Sequence, residues 1–570
     1  MTNTEHIQDV APAFRVKYII RHIDKECADD IEIEVNDHNR RQFSFIISTA
    51  SFYDNNVSIK KIFSNNKLVL TTFLGDRIIC EHLIYDYELC MQNQLIYYTY
   101  DVIGWYMYEK KEYFLYDNTI FADGSQGFSS RKISFCKGDK AIYEKFLQDV
   151  VYKRKELSLA MAIGYSAVIT AKLKDVLDVG TIIVNLCGAS STGKSTAEML
   201  MVSPFACPEI SNRNKGLAFT AHSTQNALFS RINGLYGVPF VIDDIITNPY
   251  LDYSNLVYTI STCEEKSRCH SDGSVKESNF GWNGVAITSS ELPITEYTKQ
   301  DMGIKARVLL TQGITWTESA EQAEQIKRTI LQNYGFTGKE FAYYIGSLSN
   351  DDIMKKFFES KECVNSAMSK RDNLTDRIAN KIAVIHLTVK LMNACFGLAL
   401  NSDDITDLLI ACDQNCVDER DPAKKALECI ESFIYEKYTH FNIYYNCTIG
   451  YKHPLEFPSG DKYGKIEVNE ETQTAVLYIL ASKTEQILLN NKINEIATVR
   501  KRWAERGISI IEKDHYTKKV IIGENRVRCD CIKIPFHVGK LIPDMPMQPT
   551  PVCDIEYDDS EAIGGLFDNE

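Results

Sequence analysis

No apolar run in this chain is long enough to cross a bilayer, which takes about 18 residues or more, and the opening Met1-Thr-Asn-Thr-Glu-His6 lacks the basic and apolar regions of a secretory signal. Membrane insertion and export are therefore not expected, and the expected location is the cytoplasm. Cys-x-x-Cys pairs are missing as well. The 17 cysteines are scattered; the nearest pairs, Cys412/Cys416 and Cys529/Cys531, have no partners at zinc-finger spacing, so free thiols in a reducing compartment account for them. No internal repeat is present, which excludes a solenoid. Nor is there an excess of positive charge: a net charge of −14 argues against a surface built to wrap duplex nucleic acid. It does not exclude a strand held in an inner pore by a few basic residues per subunit.

What is present is an ordinary globular composition, 570 residues with 44% hydrophobic and 25% charged, enough for three or four domains. The most informative stretch is Gly188-Ala-Ser-Ser-Thr-Gly-Lys-Ser195, directly behind the apolar run Thr181-Ile-Ile-Val-Asn-Leu-Cys187. This is the spacing G-x-x-x-x-G-K-[ST] in its strand-to-helix setting, and it predicts a site for ATP. Gly188 and Gly193 let the backbone of Ala189, Ser190, Ser191 and Thr192 turn close to phosphate, and the helix starting near Lys194 adds its positive end. Lys194 is the expected phosphate ligand, Ser195 the expected Mg²⁺ ligand, and Thr196 extends the motif.

A second apolar strand, Val238-Pro-Phe-Val-Ile-Asp-Asp244, ends abruptly in two acids. Packing alone does not explain such an ending. Asp243 is the expected partner of Ser195 at Mg²⁺, and Asp244 the group that orients or deprotonates the attacking water. A third strand, Ala286-Ile-Thr-Ser-Ser-Glu291, ends in hydroxyls where a γ-phosphate sensor belongs, with Thr288 and Ser289 as the candidates beside Ser290. Before it, Asp272-Gly273 marks a β-hairpin whose Lys266, Arg268, His270 and Lys276 are candidate contacts to single-stranded backbone, an ordinary surface hairpin being the alternative. Arg307, at the mouth of a further apolar strand, is a candidate arginine finger, and Arg377, opening a helix after Asn373-Leu-Thr-Asp376, a candidate second sensor; a structural salt bridge is the alternative for each.

Around these motifs the chain reads as zones. Residues 1–145 alternate Tyr, Phe, Ile and Val between turn residues and predict a β-rich N-terminal domain. The ATPase core is expected over 146–345, opened by a helix across 142–172, with a helical lid and connector over 346–459. Residues 460–540 give strand, helix 482–489, helix 494–506, and β segments at 508–511, 519–522 and 527–534, which is the order of a winged helix. Arg500, Lys501, Arg502 and Arg506 on its second helix, with Lys513, Lys518, Lys519, Arg526 and Arg528 on the wing, are candidate contacts to duplex DNA; docking of a protein is the alternative. A Pro-punctuated linker leads into a flexible acidic tail over 541–570. The expected class is a multidomain α/β protein whose core sheet is parallel.

Taken in order, Asp101-Val-Ile-Gly-Trp-Tyr106, Phe114-Leu-Tyr-Asp117, the loop 188–196, Asp243-Asp244, Ser289-Ser-Glu291 and Gly303 to Arg307 resemble the MCM-like AAA+ domain of the self-loading helicases carried by staphylococcal cassette chromosomes and phage-inducible islands. The resemblance covers roughly residues 95–400 and, more loosely, the winged helix. It implies an ATP-driven homo-hexameric replicative helicase moving 3′ to 5′ on single-stranded DNA, in some members also a replication initiator that binds origin duplex. Asp244 stands where that family usually has Glu, and 212–220 diverges from its pattern. Two other classes are left open, a nucleotide-switched defence or signalling ATPase with a protein partner and a non-catalytic binding module.

Overall fold

Alternating apolar side chains in Phe14–His22, Asp30–Asn36 and Gln42–Ser48 bury Val16, Ile19, Ile31, Ile33, Phe45 and Ile47 on one face of an antiparallel arrangement. In the computed structural model, residues 14–539 are described except 37–41, 55–56, 69–74, 175, 177–178, 212–214, 249, 265–279, 299–301, 370–373, 418–420, 447–451, 456–460, 513–514 and 523–524. They form two units, the first ending at Asp421 and the second beginning at Pro422. Among the described residues no helix is long and apolar enough to cross a membrane.

The three N-terminal strands belong to a six-stranded sheet completed by Ile96–Tyr100, Gln126–Ser129 and Asn118–Ile120. The zone is less purely β than its composition predicts, because Asp76–Gln92 is a 17-residue helix. Its Ile79, Leu83 and Cys90 recur at helical spacing and cover the sheet, a signal masked by the β-favouring tyrosines between them.

The core sheet contains β1 (Ile182–Cys187), β2 (Ala218–Thr220), β3 (Leu235–Asp243), β4 (Trp282–Ser290) and β5 (Val308–Leu310). All pair in parallel, in the spatial order β5-β1-β4-β3-β2. Pro239 sits inside β3 where the register with β4 shifts, a place where a missing N–H is tolerated. Two further strands extend this sheet: Ile103–Tyr108 pairs with β3, and Lys111–Leu115 folds back on it through Glu109 and Lys110, both at positive φ. Those strands come from the zone expected to be a separate N-terminal domain, so the sheet crosses the expected boundary at 145.

Helix Lys155–Lys172 is buried on every side from Leu157 to Ala171 and packs under β3 and β4. The expected single helix over 142–172 is broken by a π turn at Leu147–Val151. At Gly164 a Cβ would lie 2.1 Å from the Met201 carbonyl oxygen, so only glycine lets this helix touch the one that follows β1. After β5 come helices Ala320–Gln332, Thr337–Ser347, Asn350–Ala367, Thr375–Phe396 and Ser402–Cys416.

In the second unit a six-stranded sheet carries helices Pro422–Lys437, Ala481–Asn490 and Ile496–Glu505. The indole N–H of Trp503, fully buried, donates to the Ala423 carbonyl at 2.8 Å, which ties the first helix to the third. Helix Pro422–Lys437 therefore belongs with the winged helix and not with the expected lid and connector. The β segment expected at 508–511 is reduced to a single bridge, Ser509 to Ile532, whereas Lys518–Ile522 and Asn525–Ile534 form the expected hairpin.

Candidate functional site

The loop between β1 and helix Lys194–Val202 takes three positive φ angles, at Gly188 (148°), Ser191 (72°) and Gly193 (84°). Gly193 is required twice over, since a Cβ there would lie 2.4 Å from the Thr317 hydroxyl. The loop is held by Thr192, whose hydroxyl donates to the Ala189 carbonyl at 3.1 Å and whose own carbonyl accepts the Trp316 N–H at 2.8 Å. Lys194 Nζ is folded across the mouth, donating to the carbonyls of Gly188 and Ala189 at 2.7 and 2.9 Å. These are weak neutral acceptors that a phosphate would displace. The loop opens on a cleft of about 740 Å³ lined by Ser190, Ser191, Gly193, Lys194, Ser195 and Thr196 on one side and by Asp243, Asp244 and Ser289 on the other. Thr196 is nearly buried, with 2% exposure, and Ser190 donates to Glu291 at 2.9 Å. A cleft of this size suits a nucleotide, and one hydroxyl beside carboxylates is a donor set for Mg²⁺.

Opposite the loop, Ser289 donates to Asp243 Oδ1 at 2.7 Å and accepts the Asp244 N–H at 2.8 Å. Asp244 is exposed, in the left-handed region with φ 53°, which turns its carboxylate out of the strand direction. Thr288 points the other way. Its hydroxyl accepts from the buried Asn185 amide at 3.0 Å, because successive residues of a strand face opposite sides of the sheet. Of the two sensor candidates Ser289 is thus at the cleft, and Thr288 is corrected to a structural position between β4 and β1.

Arg307 and Arg377, distant in sequence, come together. Arg307 precedes β5, whose Val308 pairs with Ile183 near the start of β1. At about 3.3 Å per residue it stands on the order of 20 Å from the phosphate loop, at the opposite end of these two neighbouring strands. Its guanidinium lies 4.9 Å from the Tyr258 ring centre and donates to the Gly303 carbonyl. Arg377 is exposed on the first turn of Thr375–Phe396. Between them Lys381 donates to the Ala306 carbonyl at 2.6 Å, and burial together with Arg307 and Arg377 depresses its pKa to about 7. Among the described residues no carboxylate is paired with any of the three cations.

In the second unit, Arg500 makes a bidentate ion pair with Asp530, both distances 2.8 Å, and a third contact to Glu485 at 2.9 Å. Asp530 is 2% exposed. Arg500 is therefore removed from the candidate DNA contacts, its donors being spent on the buried Asp530, on Glu485 and on the Ala481 carbonyl. Lys501 is exposed beside Glu505, and Arg502 is half-buried. A clearer basic surface lies on the hairpin, where Lys519 pairs with Arg528 and Ile521 with Arg526, all four exposed. Lys266, Arg268, His270 and Lys276 lie outside the described residues.

Two family models match parts of the chain: "Domain of unknown function (DUF927)" over residues 71–280 and "Cch helix turn helix domain" over residues 421–537. No curated protein matches. A solved structure described as SCCmec type IV Cch, an active helicase, superimposes with a TM-score of 0.73 over 93% of this chain and 94% of that one, at 19% sequence identity. What the two chains share is their fold. The Cch helix turn helix match begins at residue 421, beside the structural boundary at Pro422, and it includes both Trp503 and the basic hairpin. The first match runs through the phosphate loop and β3 and stops before β4, so Ser289 and Arg307 lie beyond it.

Two residues of these sites escaped the sequence reading. Lys381 is one, because no local pattern links it to Arg307. The other is Glu198, wholly buried on the helix after the phosphate loop, with neither carboxylate oxygen hydrogen-bonded among the described residues. Burial, and after it the neighbouring Asp243, holds its pKa well above the ordinary carboxylate range. A signal was available: an acid inside the apolar run Ala197 to Val202 is out of place unless something charged comes to meet it.

Proposed function

We propose that this chain is an ATP-driven DNA helicase that works as a ring of identical copies, six in number, moving 3′ to 5′ on single-stranded DNA in the cytoplasm, with the winged helix holding duplex and serving initiation on a mobile element. The observation that carries this reading is the separation of the two halves of a hydrolytic site. The cleft formed by Lys194, Ser195, Asp243 and Ser289 lies at the C-terminal ends of the parallel strands, and Arg307 with Arg377 at their N-terminal ends. A finger so placed serves the cleft of a neighbouring copy, which makes hydrolysis a property of the ring. Magnesium-clamped ATP, when bound, supplies the transferable phosphoryl group. Lys194 then leaves its two carbonyls for phosphate, Ser195 and Asp243 hold the cation, and Asp244 orients the attacking water and takes its proton. Ser289 keeps both acids in place.

The basic hairpin, the match to a Cch helix turn helix domain and the shared fold with an active helicase favour nucleic acid over a protein partner. Single-stranded DNA should stimulate ATP hydrolysis, and with ATP the protein should form six-fold rings by negative-stain microscopy. Hydrolysis indifferent to DNA, in a protein that stays monomeric, would favour the nucleotide-switched signalling ATPase.

A further inference from the structure

Helix Lys194–Val202 buries Ala197, Met199, Leu200, Met201 and Val202 against the core, and Glu198 is buried among them with 0% exposure. An acid at such a position costs several kcal/mol unless it is hydrogen-bonded or meets a cation. Glu198 has neither arrangement in full among the described residues: neither oxygen makes a hydrogen bond of normal geometry, and the groups that act on its carboxyl are Asp243 and Ser289, with Lys194 the weakest of the three. Lys194 is itself turned away to the loop carbonyls. Packing does not explain the side chain, since leucine or methionine would fill the same space without the penalty. Position does. Glu198 follows Ser195 by three residues on one helix, so the two share a face, and that face looks at Asp243.

We propose that Glu198 is a further member of the cation site, an outer carboxylate that accepts hydrogen bonds from the water around a divalent cation held by Ser195 and Asp243, and thereby sets how tightly that cation binds. This rests on the nucleotide-binding reading above. With the cation bound, the Ser195 hydroxyl and the carboxyl groups of Asp243 and Glu198 would surround one divalent ion. Such supporting carboxylates commonly contribute about ten- to hundredfold in metal affinity.

The test measures binding and leaves turnover aside. Full-length wild type, Glu198→Gln and Glu198→Leu are titrated with a fluorescent ADP analogue at a series of free Mg²⁺ concentrations, and the thermal midpoint of each nucleotide-free protein is recorded. The expected results are a half-saturating Mg²⁺ concentration raised about tenfold or more in both variants, unchanged analogue affinity in EDTA, and a higher midpoint for Glu198→Leu. If the wild type binds the analogue in a Mg²⁺-dependent manner and both variants keep its half-saturating Mg²⁺, the acid is structural and the proposal is overturned. A wild type that fails to bind the analogue at all overturns the nucleotide reading itself, and this proposal with it.

Discussion

Ser289 donates its hydroxyl to Asp243 at 2.7 Å, and because the same oxygen accepts the Asp244 N–H at 2.8 Å, one small side chain fixes both acids at the end of β3. Replacing it with alanine removes a charge-assisted hydrogen bond without emptying the cleft. Ser289→Ala should lower kcat for ATP about 10- to 100-fold, a loss of the order seen when a positioned hydrogen-bond donor is removed, while nucleotide affinity stays within about threefold of wild type, since the binding groups are untouched. Steady-state hydrolysis and analogue binding separate the two effects. Equal loss of both would assign Ser289 to folding.

Arg307 stands too far from the phosphate loop of its own chain to serve it. Arg307→Ala should abolish hydrolysis and spare nucleotide binding. Mixed with Lys194→Ala, it should regain part of the activity, because some interfaces then pair an intact loop with an intact arginine. Absence of any recovery across mixing ratios would place the arginine's action within one chain.

Lys381 carries a pH signature. Its folded pKa is lowered to about 7 from an ordinary 10.5, so between those values the unfolded chain holds a proton that the folded chain has released. Stability on this account rises with pH across that window, and the penalty of the charged lysine is complete below about 7. Lys381→Met should therefore raise the thermal midpoint, most at pH 6.5 and progressively less toward pH 9.5. If the protein works as the proposed ring, with the cation cluster facing the neighbour's nucleotide, the same variant should also hydrolyse ATP more slowly. A midpoint difference that is flat with pH would contradict the assignment.

The two basic surfaces of the second unit should respond in opposite ways. Arg500→Ala leaves Asp530 buried without its partner, a loss of about 3–5 kcal/mol of stability, and should lower the unfolding midpoint while hardly altering the salt dependence of duplex binding. Reversing Lys519, Arg526 and Arg528 to glutamate should leave the fold intact and reduce the slope of log affinity against log salt by about three. Denaturant unfolding and salt-dependent duplex binding check the pair.

The parts of the site legible in the sequence are those written locally. The spacing from Gly188 to Ser195 and the apolar strand ending in Asp243 and Asp244 each carry their chemistry within a few residues, and the structure sets them across one cleft. The core's α/β class and the helix-helix-hairpin order near the C-terminus are legible for the same reason. Where a side chain's role depends on what folds against it, the sequence is mute. Thr288 and Ser289 are neighbours with equal hydroxyls, and only the register of β4 against β1 and β3 tells that one faces Asn185 and the other Asp243. Arg500 has the charge a phosphate contact needs, yet a carboxylate thirty residues on claims it. The strands at 103–115 look like the rest of the aromatic zone before them, and it is Leu235 and Tyr236, far along the chain, that draw them into the core sheet.

Coupling of hydrolysis to strand separation is the most direct test of the account. A forked duplex with one labelled strand, presented with a 3′ or a 5′ single-stranded arm, is incubated with ATP and either the wild type or Lys194→Ala. The expected result is displacement of the labelled strand by the wild type on the 3′-armed fork and none by the variant. Equal displacement by both proteins, or none by the wild type on either fork while it hydrolyses ATP, would contradict it.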